Sequence, residues 1–543
     1  MSTENNYSYD QLPYPSYVFR QTHPNSLATL AALFGMKPPT IQTCRVLEIG
    51  CGTGFNLIAM AQHYPQANFV GVDLSKHHIE AAKENIIQTG LKNVQFFHKN
   101  IMDVDREFGT FDYIIAHGVY SWIPPVVQDK LLQICHDNLS PNGVAYISYN
   151  AYPGCYPRDM IRNMMMYHVK NITNVDEKFT QLGKFLSLLL GATGQRNDAY
   201  SQTLQSVSNL INRKNKSYVY HDYLEDNNRP CFFHEFVERA KQHQLQYLAE
   251  AEITGTRHIY ASNLTKQLGN ELTAVEQEQY MDFIENRAFR STLLCHNYVC
   301  LERNLVPKAI RQFYLRAAIK AESPEVDLSE GKDESFTNIS DQSVVLNHIS
   351  SLCKAAAVEL SVTYPHQLTY DELLKRSYQR LVNAKVIKKV PKSISEQEHR
   401  KIGDFLLHYY LLGRIEGRLQ PWQVTTTVGK YPCLSPLTRL QIKQGSYVCN
   451  SWYEAYILES MNPLAVYLAP YLDGLHNKEA LVEKVLQAVN SGKLAIATEN
   501  VSIAEPEKLY QFTLDSVDTM LTGLAIGGYF ISYTEPEIRN SVV

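Results

Sequence analysis

In the first 155 positions of the chain, continuous apolar runs alternate with segments in which apolar residues recur at helical spacing. Continuous apolar runs predict buried strands at 45–50, 68–74, 94–99 and 111–117, and a fifth strand in V-A-Y-I-S-Y after the turn S-P-N-G at 140–143. Between these runs apolar residues recur at helical spacing, as in the helix predicted from the N-cap Ser75 to the stop at Gly90. The alternation predicts a doubly wound parallel sheet, with its ligand at the carboxyl ends of the strands.

The composition describes an ordinary globular protein. Hydrophobic residues make up 45% of the chain and charged residues 20%, and the net charge is -4, so a nucleic-acid partner is not predicted. The first residues do not form a secretory signal, and the apolar stretches are too short for a membrane span, so we expect a cytoplasmic protein. The ten cysteines form no C-x-x-C pair, which favours reduced, buried thiols, and no metal-ligand pattern fits.

The turn after the first strand indicates which nucleotide is held. Residues 46–56 read V-L-E-I-G-C-G-T-G-F-N. A dinucleotide fingerprint that starts at Gly50 needs a glycine where Phe55 stands, and a phosphate-binding loop needs a lysine that this turn lacks. The turn instead combines an acid with three glycines that let the backbone approach a ligand closely: Glu48, Gly50, Gly52 and Gly54.

Two carboxylates indicate the charge and the sugar of this ligand. Glu48 would repel a pyrophosphate but suits a ligand that carries an ammonium and a sulfonium group. Asp73 ends the second strand, where a carboxylate can accept both hydroxyls of an adenosine ribose. The two signals together predict a cationic adenosyl ligand.

With these residues the segment resembles motif I of the class I S-adenosylmethionine-dependent methyltransferases. The resemblance implies that Gly50 and Gly52 pack beside the methionine moiety and that Asp73 holds the ribose. It further implies S-adenosyl-L-methionine as cofactor, S-adenosyl-L-homocysteine as product, and a donor site that includes Leu74, Asn100 and Ile101. Asn100 stands where many members have Asp, and its carbonyl oxygen can still accept from the adenine amine.

The acceptor end differs from that of nucleic-acid amino methyltransferases. The fourth strand runs into A-H-G-V-Y-S-W-I-P-P rather than N-P-P-Y, which argues against adenine and glutamine acceptors. We predict catalytic roles for four side chains near the emerging methyl group, the first of which also belongs to the donor site: His117, Tyr120, Trp122 and Tyr149.

An aromatic lining suits a lysine acceptor. It desolvates the amine and can hold a cationic product by cation–π contact. Neutralising a lysine of pKa near 10.4 at pH 7 costs about 4 to 5 kcal/mol, which burial and neighbouring dipoles must largely supply. The alternatives stay open: Tyr120 and Trp122 as core aromatics at a strand-to-helix corner, and His117 as a residue that is only hydrogen-bonded.

The rest of the chain suggests further modules. An acidic stretch at 321–336 predicts a linker or mobile loop, and Arg287 and Arg290 either hold a substrate acid or form ion pairs inside their domain. Helical runs from about Asp341 resemble a winged helix that contacts protein rather than DNA.

Four motifs extend the resemblance over nearly the whole chain: P-Y-P-S-Y-V-F-R-Q-T-H-P-N-S-L-A-T-L at 13–30, the glycine turn, H-D-Y-L-E-D-N-N-R-P at 221–230 and Y-L-D-G at 471–474. Together they are similar to the rickettsial protein lysine methyltransferases of outer membrane protein B, with an appended regulatory domain. The resemblance implies a homodimer, lysines of a surface antigen as acceptors, and a segment Gln21 to Pro24 over the donor, with His23 as a contact to the methionine carboxylate.

These observations predict an α/β fold, with a Rossmann-like seven-stranded class I methyltransferase domain and additional α+β and mainly helical, winged-helix-like domains. The predicted segments are an N-terminal cover of the donor site at 1–42, the donor-binding domain at 43–155, a helical, possible dimerisation element at 156–215, a middle or regulatory domain at 216–320, a winged-helix-like domain at 337–420 and a C-terminal helical domain at 421–543.

Two rival hypotheses accompany the protein-lysine methyltransferase. One is a small-molecule methyltransferase, which would not need an open multi-domain architecture. The other is a non-catalytic scaffold, which would leave the intact set of Glu48, Gly50, Gly52 and Asp73 without a reason. The number of methyl groups added and the preferred lysines cannot be read from these patterns.

Overall fold

The computed structural model describes residues 12, 16–213, 216–253, 272–348, 350–445, 447–494 and 505–531. Its strands are β1 (Arg45–Ile49), β2 (Asn68–Asp73), β3 (Val94–His98), β4 (Phe111–Ala116), β5 (Leu139–Asn150), β6 (Leu245–Glu250), β7 (Phe289–His296), β8 (Tyr314–Arg316), β9 (Ile319–Ala321), β10 (Glu334–Asn338), β11 (Val344–His348), β12 (Leu368–Thr369), β13 (Glu416–Arg418), β14 (Val448–Cys449) and β15 (Ala455–Tyr456). Its helices are α1 (Pro24–Leu33), α2 (Phe55–Ala61), α3 (Lys76–Thr89), α4 (Pro125–Asp137), α5 (Tyr156–Val169), α6 (Val175–Thr193), α7 (Ala199–Asn212), α8 (Lys216–Leu224), α9 (Phe233–Gln242), α10 (Ala274–Glu285), α11 (Ser351–Thr363), α12 (Tyr370–Asn383), α13 (Glu396–Leu411), α14 (Pro436–Gln444), α15 (Pro463–Leu468), α16 (Lys478–Asn490) and α17 (Pro506–Ile526).

A seven-stranded sheet carries the first half of the chain. Its strands lie in the order β3-β2-β1-β4-β5-β7-β6. Strands β1 to β5 are parallel to their neighbours, whereas β7 runs antiparallel to both β5 and β6. The predicted Rossmann-like seven-stranded fold is confirmed, and the carboxyl ends of β1, β2 and β4 meet at one edge.

The ends of helix α3 follow the predicted chemistry. The Ser75 side chain accepts a hydrogen bond from the His78 backbone N–H, which satisfies one of the helix's first donors. Gly90 ends the helix with a φ of 69°, a left-handed conformation that glycine adopts without a side-chain clash. Both predicted boundaries are confirmed.

The predicted turn at 140–143 is wrong, because these residues belong to β5. Phe111 of β4 pairs with Leu139, and Tyr113 pairs with Val144. The longer stretch on β5 therefore bulges out of the ladder while the strand continues. Residues that are typical of turns can form a bulge when the paired residues before and after it fix the register of the strand.

Helices α5 to α8 form a separate layer with its own apolar core. Ile161, Met165 and Val169 of α5 are buried in it at helical spacing, whereas Tyr167 on the same helix is 72% exposed. The helix at 156–169 is therefore amphipathic, with one face buried in this core.

The region from 314 to 418 combines small sheets with helices α11 to α13. Strand β11 occupies 344–348, so the helical run that the sequence predicted from about Asp341 is wrong up to that point. The acidic stretch 321–336 runs from the end of β9 through a loop into β10, so it belongs to the sheet β11-β10-β9 and is not a linker. The fully buried Lys354 Nζ donates to three carbonyl oxygens of this loop, those of Asp327, Ser329 and Lys332.

Distant segments share the core on one face of the large sheet. Leu27 of α1, Ile58 of α2 and Leu437 of α14 are buried in the same cluster. The Tyr453 hydroxyl donates to the carbonyl oxygen of Ala59 at 2.7 Å, and Gln444 bonds Asn85 at 3.0 Å. The N-terminal helix and the C-terminal region are thereby fixed against the sheet that carries the glycine turn.

Eight of the ten cysteines are buried and all ten are free, as the sequence predicted. Over the described ranges, no helix combines the length and the apolarity needed to cross a membrane. Within the same ranges, no cluster of three or more histidine, cysteine or acidic side chains could hold a metal ion.

Candidate functional site

The glycine turn follows β1 and has a backbone that requires glycine. Gly50 and Gly52 have φ angles of 75° and 54°, in the left-handed region. A Cβ on Gly50 would lie 2.5 Å from Val119 Cγ2, and one on Gly52 would lie 2.6 Å from Ser16 Oγ. The left-handed backbone and the close packing of Val119 and Ser16 therefore leave room only for glycine at these two positions.

Gly54 serves the packing of this turn. It precedes α2 with a φ of 80°, and a Cβ there would clash with the Phe96 ring on β3. The close approach of α2 to the sheet thus depends on Gly54. Its predicted contact with the donor stays a prediction.

Asp73 ties the ends of β1 and β2 together. Its Oδ2 accepts from the Gly52 N–H at 2.9 Å, and its Oδ1 accepts from the Ser75 N–H at 2.8 Å. Each carboxylate oxygen can accept a second hydrogen bond, so two acceptor positions remain. The side chain is 11% exposed, which suits the predicted pair of ribose hydroxyls.

Glu48 is a buried carboxyl group with one open oxygen. Its Oε1 accepts from Asn56 Nδ2 at 2.8 Å, and Oε2 has no partner among the residues described. Burial raises the pKa of Glu48 to about 8, the bond from Asn56 opposes the rise, and the nearby Asp73 charge adds to it. A cationic group beside Oε2 would reverse this penalty, which is what an ammonium or sulfonium ligand offers.

The segment 16–22 lies over the glycine turn. Ser16 Oγ accepts from the Thr53 N–H, and the Phe19 N–H donates to Asn56 Oδ1, both at 3.0 Å. Asn56 thus joins this cover segment, defined as residues 16–22, to Glu48. The N-terminal cover of the donor site at 1–42 stays a prediction, and its residues 1–11 and 13–15 lie outside the described part.

His23 follows the cover segment and is fully buried. Its Nδ1 accepts from the Asn25 N–H and so caps α1, while its ring packs against Tyr453 and Trp422. Burial lowers the pKa of His23, so the ring is neutral. The other ring nitrogen of His23, Nε2, has no hydrogen-bond partner among the described atoms. The predicted contact with the methionine carboxylate would use this nitrogen, and it stays a prediction.

Three further predicted donor-site residues follow β2 and β3, and two of them, Asn100 and Ile101, are the predicted adenine contacts. Leu74 is 45% exposed, and Ile101 begins a short 3₁₀ turn with a partly exposed side chain. The exposed Asn100 caps this turn, since its carbonyl oxygen accepts from the Met102 N–H at 3.0 Å. That oxygen keeps a second lone pair, so the predicted bond to an amine is compatible with the cap.

His117 lies just beyond β4 in an aromatic setting. Its ring is 3.8 Å from the Phe19 ring and 6.0 Å from the Phe289 ring, measured between centroids. Its Nδ1 bonds the Tyr146 hydroxyl at 2.9 Å, and that hydroxyl donates to Ser291. His117 Nδ1 is therefore the donor in the first bond, and Nε2 carries the lone pair.

Burial lowers the pKa of His117 to about 4. The imidazole is therefore neutral at pH 7 and a weak base. Its Nε2 suits the acceptance of a hydrogen bond better than the removal of a proton from a cation. The sequence left open the alternative that His117 is only hydrogen-bonded, and this alternative applies to its Nδ1 atom.

Tyr120 and Tyr149 are buried in the core, and their predicted catalytic roles stay predictions. Each is 1% exposed, and both rings pack against Phe236 of α9. The Tyr149 hydroxyl bonds Thr292 at 3.0 Å, whereas the Tyr120 hydroxyl has no partner in the described ranges. The sequence located both near strand ends but could not tell which face of the sheet they occupy.

Trp122 is the partly exposed member of the same corner. It ends a short 3₁₀ turn that begins at Tyr120, and its N–H donates to the Val119 carbonyl at 2.9 Å. The side chain is thus separated from the core that takes Tyr120. Its predicted catalytic role stays a prediction.

Arg290 is fully buried and forms ion pairs inside its domain. Its guanidinium donates to Asp282 at 2.8 Å, to Glu250 at 2.7 Å and to Glu278 at 3.0 Å. Arg287 pairs with Glu285 at 2.8 Å. The intradomain alternative holds for both arginines, and their role is to hold β7 beside β6 and α10.

Sequence reasoning missed several residues near His117. Phe19, Phe289 and Tyr146 contact it or bond it, and Glu250 and Glu252 act electrostatically on the buried Tyr146 hydroxyl, whose pKa is raised chiefly by burial. These residues come from four separate segments. Only the motif around Gln21, which also bonds Tyr146, gave a local signal.

Three family profiles match parts of the chain. Residues 42–218 match a "Methyltransferase domain", residues 215–296 a "Predicted methyltransferase regulatory domain", and residues 430–529 a "PKMT, C-terminal winged helix domain". The sequence predicted a regulatory domain at 216–320 and a winged-helix-like domain at 337–420. The winged-helix match thus falls within the segment predicted as C-terminal and helical.

Relatives from Rickettsia cover nearly the whole chain. An uncharacterized protein of Rickettsia prowazekii is 35% identical over 511 residues, which is 92% of this chain and 89% of that protein. A second uncharacterized protein of that organism is 40% identical over 244 residues, 45% of this chain and 98% of its own. The solved structure of PKMT2 from Rickettsia typhi in complex with AdoHcy matches with a TM-score of 0.81 and 30% identity, over 96% of this chain and 100% of that one.

Proposed function

This chain belongs to the class I S-adenosylmethionine-dependent methyltransferases, in the family of PKMT2 from Rickettsia typhi, and we propose that its methyl acceptor is a lysine side chain of a bacterial outer membrane protein. The methyl donor is S-adenosyl-L-methionine. The protein-lysine acceptor is supported by the aromatic surroundings of His117 and by the name of the solved relative.

The residues at the glycine turn fit this donor. When bound, S-adenosylmethionine supplies a methyl group on a positively charged sulfur. The open Oε2 of Glu48 can pair with the positive charge, and Asp73 keeps one acceptor position on each oxygen for the ribose. The turn glycines leave the backbone accessible, and Leu74 and Ile101 offer apolar surface at the adenine end.

The acceptor must lose a proton before its nitrogen lone pair can attack the methyl carbon. As the new C–N bond forms, the C–S bond breaks and its electron pair stays on sulfur. Phe19 and Phe289 around His117 favour the neutral amine by excluding water. His117, with a pKa of about 4, is a poor base at pH 7, so the proton goes to solvent and Nε2 orients the amine.

The aromatic contact of Phe19 with His117 is the observation that carries this proposal. It brings a ring from the cover segment against His117 just beyond β4, where we expect the methyl group to emerge. Glu252, within electrostatic reach of Tyr146, can attract the cationic form of a lysine to the same place.

The proposal is tested by mass spectrometry of outer membrane protein fragments after incubation with isotope-labelled S-adenosylmethionine. We expect label on lysine side chains, none after the lysines are acetylated, and none with the Asp73→Ala variant. A small-molecule panel is assayed beside the fragments. Label on small molecules with unmodified fragments would refute the protein substrate, and no transfer to any acceptor would favour the scaffold.

We also propose a homodimer formed through helices α5 to α7. Leu188 of α6 is 66% exposed and Tyr167 of α5 is 72% exposed, so this layer carries apolar surface. Light scattering should give twice the mass of the chain, and Leu188→Asp should lower it; an unchanged dimer would exclude this surface. A cytoplasmic location stays a proposal that cell fractionation would test.

A further inference from the structure

Apart from the candidate site at the glycine turn, a cavity lies between the cover segment and the C-terminal half, and we call it the second cavity. Its volume is about 380 Å³. The walls come from the cover segment, α1, the end of β6, β8, β9 and the segment 413–418. Four arginines line it: Arg20, Arg316, Arg414 and Arg418. The cavity is therefore built from segments that are distant in the chain and basic in part.

Three of these arginines surround one carboxylate. Arg20 and Arg316 each donate to Glu416, the latter at 2.6 Å, and Arg418 lies 3.3 Å from it. Glu416 Oε1 accepts another bond from Trp422 Nε1 at 2.9 Å, so both carboxylate oxygens are hydrogen-bonded.

Glu454 is the second carboxylate of this cluster. It lies 3.8 Å from both Arg20 and Arg316. Three guanidinium groups against two carboxylates leave one positive charge in excess. The buried Nε atoms of Arg20 and Arg418 also lack a hydrogen-bond partner among the described residues.

An uncompensated charge in a partly closed site is costly, and an anion would relieve it. Arg414 adds a further positive charge at the exposed rim of the cavity, where its described charged neighbour is Asp341. Guanidinium groups bind carboxylates well because their N–H donors match two acceptor oxygens.

The remaining walls suit an anion on a short apolar arm. Leu30, Ile319 and Tyr410 line the cavity beside the arginines. Gln21 and Glu252 line it too, and both act on Tyr146, which bonds His117. The cavity lining thus combines four arginines with two residues that act on the hydroxyl bonded to His117.

We propose that this cavity binds the carboxylate of an aspartate or glutamate that lies near the target lysine in the protein substrate. The inference rests on the proposed function, since it takes the substrate to be a polypeptide with a lysine acceptor. The lysine is held near His117 while the acid enters between Arg316, Arg414 and Arg418. The cavity then selects among lysines by the residues that flank them.

Binding of short fluorescent peptides to the full chain, with S-adenosylhomocysteine present, tests this proposal. Each peptide has one lysine, and a glutamate is moved stepwise along it, with glutamine at the same position as the reference. At one or more positions we expect glutamate to tighten binding about tenfold over glutamine. In the Arg414→Gln variant this gain should fall below about threefold, with little change for the glutamine peptides.

Arg400→Gln is the matched control, because Arg400 is 80% exposed and does not line the cavity. It removes the same charge and should keep the full gain. Equal binding of glutamate and glutamine peptides at every position would overturn the proposal, as would a gain that survives Arg414→Gln.

Competition by free glutarate separates the two possible sources of the carboxylate. We expect glutarate to displace the glutamate peptides only weakly, because it lacks the lysine end. Tight glutarate binding with no effect of the peptide glutamate would overturn the proposal in favour of a small-molecule site. The binding readout does not need methyl transfer, so it stays decisive even if the lysine-methylation assay fails.

Discussion

Glu48 and Glu416 both accept hydrogen bonds from other side chains, but the charges around the two carboxyl groups differ. At the glycine turn, Glu48 has a neutral amide as its bonded partner, one open oxygen and a pKa raised to about 8 by burial. In the second cavity, Glu416 is surrounded by three guanidinium groups that hold its pKa well below the usual range, against the opposing effect of burial.

The difference shows what each region lacks. Among the described residues no positive charge pairs with Glu48, and a cationic methyl donor brings one. The site around Glu416 already has more positive than negative charge, and an anion would balance it. A buried carboxylate therefore indicates the charge of a ligand only when its own partners are counted.

The largest effect is expected from Glu416→Gln. It leaves three guanidinium groups without their shared carboxylate, which should lower the free energy of unfolding by about 3 to 5 kcal/mol. Glu48→Gln should change it by less than about 1 kcal/mol at pH 7, because the amide replaces a carboxyl group that is mostly protonated. Urea unfolding of the two variants measures both. Similar losses would show that the two glutamates do not differ as described.

Asp73→Ala should reduce affinity for S-adenosylhomocysteine by about 100-fold or more, since two charge-assisted bonds to the ribose are lost. Asp112→Ala is the control: Asp112 also accepts from a backbone N–H, that of Arg45 at the start of β1. Titration calorimetry of both variants gives the affinities. An unchanged affinity in Asp73→Ala would sink the assignment of the donor site.

Trp122→Ala should lower turnover about tenfold while donor affinity stays within about twofold, because we predict a role for this side chain at the acceptor end. Tyr120→Phe in the same turn should leave both unchanged, since it removes only a core hydroxyl that has no partner in the described ranges. Steady-state kinetics and calorimetry distinguish the two. Equal losses of turnover and donor affinity in Trp122→Ala would make that residue structural.

The smallest effect is a proton released on donor binding. The pKa of Glu48 is raised in the folded ligand-free protein, from 4.5 to about 8. Its contribution to stability is thus full below pH 4.5, and is lost as pH rises through 8, because the unfolded chain ionises first. A cationic donor favours the ionised form, so binding at pH 7 should release about 0.9 proton.

Calorimetry in two buffers of different ionisation enthalpy measures this release, and Glu48→Gln should abolish it. A release that persists in Glu48→Gln would assign the proton to another group. Glu416 has a low pKa and is already ionised at pH 7, so it should contribute nothing to this proton release.

The donor half of the site could be predicted because its signals are local. Glu48 lies in β1, the glycines form the turn directly after it, and Asp73 ends β2, so the parallel topology brings them together. The acceptor half joins Phe19, His117 and Phe289, which are distant in sequence and meet only through tertiary packing.

Tyr149 shows why a strand pattern in the sequence cannot assign a side chain to one face of the sheet. Adjacent residues of a strand point to opposite faces, so Tyr146 and Tyr149, three positions apart on β5, also lie on opposite faces. Tyr146 reaches His117, and Tyr149 enters the core under α9. Position along a strand indicates nearness to the ligand edge, but the face depends on which side the later helices cover.

The cover segment is linked to both glutamates, to Glu48 through Asn56 and to Glu416 directly, and this has a thermodynamic consequence. Phe19 bonds Asn56, the partner of Glu48, and Arg20 next to it pairs with Glu416. Any shift of this short segment therefore changes the surroundings of two ligand sites at once. If donor occupancy alters the affinity of the second cavity by some factor, occupancy of that cavity must alter donor affinity by the same factor. Reciprocity of this kind would let the enzyme retain its donor longer when a suitable substrate is engaged.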